Sequence, residues 1–321
     1  MQPKSLFVRM QRKKILYIII CVLSISAIVC GVVHRSKAAT ANETADCLKT
    51  ELEHYLSMCD AEIGVCLIID SKDTIRLNDR DQYPMNSVMK LYQAIAVMDY
   101  MQEHELSLDS MLTIDHSELH PNTYSPLRDS IGNKGFSMPI AEIMEYSLRY
   151  SDNNACDILF NHILPVDQVE RRLRKMGVNG FAIRSDENTM HKEPKRTADN
   201  WSHPSTAAIL IERLFTQNLF HANSQQFLCD VLTSCSTGKN RLPKPLAGTD
   251  AIIGHKTGTG FPDVQGNPQG INDVGFVQLP NGHHYSISVF VKSSKSNMDA
   301  TEQMIADISE MAYSIISMIL L

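Results

Sequence analysis

A serine followed three residues later by a lysine, Ser87-Val88-Met89-Lys90, is the first arrangement in this chain able to do chemistry. A serine hydroxyl is a weak nucleophile until a base takes its proton. On a helix, residues three apart share a face, so Lys90 can reach back to Ser87. A serine at a helix N-terminus also meets unsatisfied N–H groups and the positive end of the helix dipole. The spacing alone is cheap, because Ser236-Thr237-Gly238-Lys239 repeats it in a loop-like stretch after Cys235. Two further triplets add to it. In Ser151-Asp152-Asn153 a second hydroxyl could pass a proton to a departing nitrogen, and the Asn153 amide could hold a substrate carbonyl. The same triplet also reads as a plain helix N-cap. Lys256-Thr257-Gly258, followed by Thr259-Gly260, ends an apolar strand. There Gly258 permits close approach, backbone N–H groups can meet an oxyanion, and Lys256 and Thr257 suit a substrate carboxylate.

The elements that must position these residues follow from patterning. Ala45–Met58 reads as a helix, Glu62–Asp70 as a buried strand and Asp73–Asn78 as its hairpin partner. A helix is expected over Ser87–Gln102, and helices dominate to about Leu228. Strands return at Ala251–His255, Asp273–Leu279 and Tyr285–Lys292, with Pro280-Asn281-Gly282 as the turn between the last two. A helix over about Asp299–Leu320 closes the chain. Strands from both ends must therefore pair across a helical insert. The expected fold is α/β (α+β): an antiparallel five-stranded sheet flanked by the N- and C-terminal helices, with an inserted all-helical subdomain. The sheet lobe is expected over about 43–85 and 245–321 and the helical lobe over about 86–244, with the cleft between them as the place for chemistry.

S-x-x-K, S-D-N and K-T-G, in this order and layout, are a combined signature. Over essentially the whole chain after its N-terminal segment, the sequence resembles the class A serine β-lactamases. Tyr83-Pro84-Met85-Asn86-Ser87, Tyr124-Ser125-Pro126, Ser151-Asp152-Asn153-Asn154-Ala155 and His255-Lys256-Thr257-Gly258 resemble the CfxA-like branch. The resemblance implies hydrolysis of β-lactams, leaning to cephalosporins, without a cofactor, by a monomer. Ser87, Lys90, Ser151 and a loop glutamate would be catalytic. That glutamate is identified as Glu187 in Arg184-Ser185-Asp186-Glu187-Asn188-Thr189-Met190-His191, with Asp186 and Glu193 as rival carboxylates. The family often carries Asn where this chain has His191, which leaves the second ligand of the deacylating water open. Tyr124 would line the cleft mouth, and Asn153, Lys256, Thr257, Gly258 and Thr259 would bind substrate. The N–H groups of Ser87 and Thr259 would form the oxyanion hole. Arg241 would grip the substrate carboxylate, a role that suits a planar guanidinium. Two rivals share the three motifs: a penicillin-binding DD-peptidase and a membrane-anchored β-lactam sensor, neither of which needs a working Glu187.

Composition bounds the rest. In 321 residues, 30 Lys+Arg against 36 Asp+Glu give a net charge of -6, which argues against a nucleic-acid partner. Lys4, Arg9, Arg12, Lys13 and Lys14 precede an apolar run over Ile15–Val33, closed by His34-Arg35-Ser36-Lys37-Ala38-Ala39. Residues 1–39 thus read as an export signal to the periplasm. The run approaches the ~20 residues that span a bilayer, so cleavage after Ala38 or Ala39 and retention as a membrane anchor both stay open. Six cysteines lie beyond it, and most are expected to be small buried hydrophobes. His116 and His120 lack the glutamate placement of a zinc helix, and His283-His284 face opposite ways on a strand, so no metal is expected.

Overall fold

The computed structural model describes residues 41–132, 134–262, 266 and 269–319. The expected export segment lies outside them. From Ala45 onward the chain forms one compact unit. No described helix is long and apolar enough to cross a membrane.

Strand β1 (Glu62–Ile69) is apolar at almost every position because both of its faces are covered. It pairs with β2 (Asp73–Leu77) on one side and β10 (His284–Lys292) on the other. Strands β9 (Ile271–Gln278) and β8 (Ile252–Thr259) complete an antiparallel sheet of order β2-β1-β10-β9-β8. The hairpin between β9 and β10 turns at Pro280-Asn281-Gly282, where Gly282 takes φ 89°. Helices α1 (Ala41–Met58) and α10 (Met298–Ile319) cover one face, where Leu48, Leu52, Ile305, Ile308 and Ile316 meet Val65, Leu67, Ile287 and Val289. Each such aliphatic side chain contributes about 1.5–3 kcal/mol by leaving water.

The chain between β2 and β8 builds a second core around α2 (Met89–Glu103), which is buried on nearly every side. Around it stand α3 (Pro126–Ile131), α4 (Ile140–Arg149), α5 (Asn153–His162), α6 (Val166–Lys175), α7 (Glu187–Lys192) and α9 (Ala222–Thr233). Two findings refine the expected division. Two small sheets stand among these helices: β3 (Tyr83–Pro84) with β7 (Trp201–Ser202) and β6 (Phe181–Ala182), and β4 (Met111–Ile114) with β5 (Phe136–Pro139). Pairs this short carry no period in the sequence. Helix α8 (Pro204–Thr216), within the span assigned to the helical lobe, instead covers the second face of the main sheet. Its Ala208 packs with Cys66 and Ile68, and Glu212 accepts from Ser286 Oγ at 2.6 Å.

The cysteine expectation fails. Of the six, only Cys66 and Cys156 are buried, while Cys47 is exposed and Cys59, Cys229 and Cys235 are partly so. Cys47 sits beside the buried Leu48 on α1, one step round the helix and turned to solvent.

Candidate active site

The turn that carries Ser87 is tight. Asn86 adopts a left-handed backbone, φ 48°, and Asn86–Val88 form a single 3₁₀ turn before α2. A non-glycine residue in that region carries strain, and such strain gathers at functional sites. The Asn86 side chain holds the turn by donating to Gly270 O at 2.7 Å. One turn on, Lys90 is fully buried. It donates to Ser87 Oγ at 2.8 Å and to Asn153 Oδ1 at 2.9 Å, and forms an ion pair with Glu187. Burial disfavours the Lys90 ammonium, yet the Glu187 carboxylate, its hydrogen bond and the nearby Cys156 and Asp157 together hold it above the ordinary lysine value. Lys90 is therefore an ammonium with no lone pair to offer. The nearby carboxylate, Glu187 Oε1, lies 3.5 Å from Ser87 Oγ.

Glu187 is placed by residues that the sequence did not single out. Asp157 lies one turn after Asn153 on α5, so both side chains leave the same face. While Asn153 reaches Lys90, the Asp157 carboxylate accepts from the backbone N–H groups of Glu187 and Asn188, each at 2.9 Å. Burial, with Glu187 and Asp186 beside it, pushes the Asp157 carboxyl well above the usual range. Asn200 clasps the same loop, accepting from the N–H groups of Arg184 and Ser185 and donating to Ser185 O. The rival carboxylates are spent elsewhere. Asp186 caps α7 by accepting from Thr189 N at 2.7 Å, and Glu193 is exposed beyond its end.

The second motif caps a helix and also meets the third motif. Asp152 caps α5 through Ala155 N at 2.8 Å. Ser151, in a left-handed backbone at φ 59°, receives Lys256 Nζ on its hydroxyl at 3.0 Å. Lys256 is fully buried on the edge strand β8, and burial pulls its ammonium down to about 8. Gly258 is required here for a steric reason: a Cβ on it would stand 2.4 Å from Met85 O, in the turn before Ser87. The decoy Ser236–Lys239 contributes a wall. Thr237 Oγ1 lies 2.6 Å from Thr257 Oγ1, while Ser236 Oγ turns away to Arg149 O.

Arg241, expected to grip the substrate carboxylate, is buried behind Thr259. Its guanidinium donates to Glu302 Oε1, Gly258 O, Asn272 O and Thr259 Oγ1 at 2.7–3.0 Å. Four of its five N–H donors are thus met, and Arg241 braces Thr259 from behind.

Ser87, Asn153, Glu187 and Thr259 line one cleft of about 320 Å³ together with Tyr124, Met190, His191 and Phe261. Tyr124 is 59% exposed at its mouth. His191 and Phe261 face each other with ring centroids 6.1 Å apart. A larger depression of about 550 Å³ beside Arg174 and Glu170 holds none of the motif residues. Among the described residues no group of side chains is arranged to hold a metal ion.

Comparison with known proteins agrees with this geometry. Residues 47–316 match the β-lactamase enzyme family. A β-lactamase of Phocaeicola vulgatus is 31% identical over 310 residues, covering 95% of this chain and 97% of the relative. The β-lactamase VEB-1 of Pseudomonas aeruginosa is 33% identical over 277 residues, 85% of this chain and 92% of its own. The crystal structure of a representative class A β-lactamase from Bacteroides cellulosilyticus superposes with a TM-score of 0.82 at 32% identity, over 86% of this chain and 99% of that one.

Proposed function

Since the chain belongs to the β-lactamase enzyme family, in its class A, we propose that it opens the β-lactam ring through an acyl-enzyme on Ser87. The observation that carries this is Lys90 Nζ bridging the Ser87 hydroxyl and the Glu187 carboxylate. Ser87 Oγ attacks the ring carbonyl, and its proton passes to Glu187, directly or over one water. The Ser87–Lys90 contact keeps a positive charge against the developing alkoxide. The N–H groups of Ser87 and Thr259 face the oxyanion, where losing one donor costs about 10²–10³ in rate. As the ring C–N bond breaks, Ser151 passes a proton to the departing nitrogen, and the proton held on Glu187 is relayed to Ser151 through Lys90, which restores the Glu187 carboxylate and leaves Lys256, 3.0 Å from Ser151, charged. Glu187, a carboxylate again, then takes a proton from the water that attacks the ester and returns it to Ser87 Oγ as the ester bond breaks and the hydrolysed ring leaves. Lys256 and Thr257 bind the substrate carboxylate, with Arg241 braced behind Thr259, while Asn153 and Tyr124 hold the acylamide side.

A preference for cephalosporins is supported by Thr259-Gly260 after the third motif and by the resemblance to the CfxA-like branch. The basic and apolar N-terminal segment, residues 1–39, supports export to the periplasm of a catalytic domain spanning 40–321, either released by cleavage or anchored by that segment. A chromogenic cephalosporin mixed with the purified protein tests the reading. Sustained turnover is expected. A stable adduct without turnover would assign the chain to a sensor or a DD-peptidase instead.

A further inference from the structure

The turn that carries Ser87 is tied to the sheet by Asn272, which stands behind the cleft rather than in its lining. Asn272 lies on β9 opposite Gly258 of β8 and is 1% exposed. Its amide Nδ2 donates to Pro84 O at 2.8 Å and to Met85 O at 3.1 Å, so both N–H groups are used. Met85 O also accepts from Val88 N at 3.1 Å, the bond that closes the 3₁₀ turn around Ser87. Asn272 therefore grips the carbonyl on which that turn is built.

The amide can stand only one way. Turned over, Oδ1 would face two carbonyl oxygens and be repelled by both. With Nδ2 on the carbonyls, Oδ1 is buried with no hydrogen-bond partner among the described residues. An unmet buried acceptor lowers stability, and most buried polar atoms avoid it. An aliphatic side chain of similar size would carry no such penalty. The orphan oxygen thus marks a side chain whose use here is its pair of donors.

The backbone of the same residue reaches the other half of the site. Asn272 O accepts from Arg241 Nη1 at 2.9 Å, and that guanidinium also donates to Gly258 O and Thr259 Oγ1. Asn272 stands between the Ser87 turn on one side and the end of β8 on the other. Gly258 leaves the amide its room, for a Cβ there would come within 3.1 Å of Asn272 Nδ2.

We propose that Asn272 is a positioning residue that fixes the Ser87 N–H relative to the Thr259 N–H and so sets the spacing of the oxyanion hole. This rests on the β-lactamase reading, in which those two N–H groups meet the carbonyl oxygen. Forming the acyl-enzyme and breaking it both pass through a tetrahedral oxyanion there. Loss of the Asn272 donors should therefore slow both steps together.

The test compares Asn272→Leu and Asn272→Ala with the unchanged full-length protein, using a chromogenic cephalosporin. Stopped-flow mixing and intact-protein mass spectrometry read initial binding, acylation and acyl-enzyme breakdown separately. Acylation and deacylation should each fall about 10²-fold in both variants, as for a misplacement near 1 Å, with initial binding within about threefold. Asn272→Leu should be the more stable of the two because it leaves no cavity, so the rate losses should not follow stability. Acylation within about threefold of the unchanged protein in either folded variant overturns the proposal, as does a loss confined to binding or to deacylation. Whether or not the variants fold, the unchanged protein should show NMR scalar coupling from the Asn272 amide nitrogen to the Pro84 and Met85 carbonyl carbons. Absence of that coupling overturns the clasp. Acylation of Ser87 without turnover would instead sink the proposed function and leave Asn272 to be judged on the acylation step.

Discussion

Lys90 and Glu187, 97 residues apart, form an ion pair with Lys90 completely buried and Glu187 8% exposed. Two charges leave water only if their geometry and remaining hydrogen bonds compensate. Here Ser87 Oγ and Asn153 Oδ1 take the other Lys90 protons, and Glu187 keeps a line to Ser87. The pair makes Lys90 a fixed cation and leaves the carboxylate as the group able to accept a proton.

On the proposed function, Lys256 should set the alkaline limit of the reaction. Its ammonium, brought down to about 8 by burial, is charged below that pH and neutral above it. The attraction for an anionic substrate should therefore be full below about 7 and fade as pH rises through about 8. The pH profile of kcat/KM for an anionic β-lactam should fall there, with KM carrying the change. In Lys256→Arg, whose guanidinium does not titrate in this range, that limb should vanish even if the overall rate drops.

Asp157 should prove to be a positioning residue. Asp157→Ala removes the acceptor for two backbone N–H groups in the loop that holds Glu187. Leaving buried donors unmet costs about 1–3 kcal/mol. Urea unfolding should show a loss of that size. Turnover should fall more at the deacylation step than at acylation, measured as accumulation of acyl-enzyme in the steady state.

Gly258→Ala tests the closeness of β8 to the nucleophile's turn. The added methyl would press on Met85 O, a backbone atom that cannot swing aside, so the strand or the turn must shift. Overpacking of this kind costs about 1–3 kcal/mol. A shift beside Ser87 should reduce kcat/KM about a hundredfold, because misplacement near 1 Å has that effect. Thermal unfolding and steady-state kinetics on the same preparation would check both.

Much of this was legible in the sequence because its signals are local. Ser87 and Lys90 share a helix face, and the apolar run of β1 announces a doubly covered strand. Glu187 was found as a carboxylate on a polar loop, though its two rivals could be set aside only when Asp186 was seen capping α7. What stayed hidden depends on tertiary placement. Nothing local shows that Glu302, 61 residues on, faces Arg241. Asp157 sits at helical spacing from Asn153, a usable signal, but its partners are backbone groups of a distant loop. The second S-x-x-K gave no hint that its threonine, not its serine, would face the third motif.

Intact-protein mass spectrometry on Glu187→Gln mixed with a cephalosporin tests the central claim most directly. Removing the base should slow deacylation by about 10²–10⁴-fold. One equivalent of covalent adduct should therefore accumulate, map to Ser87, and be absent from Ser87→Ala. An adduct on another residue, or unimpaired turnover by either variant, would contradict the account.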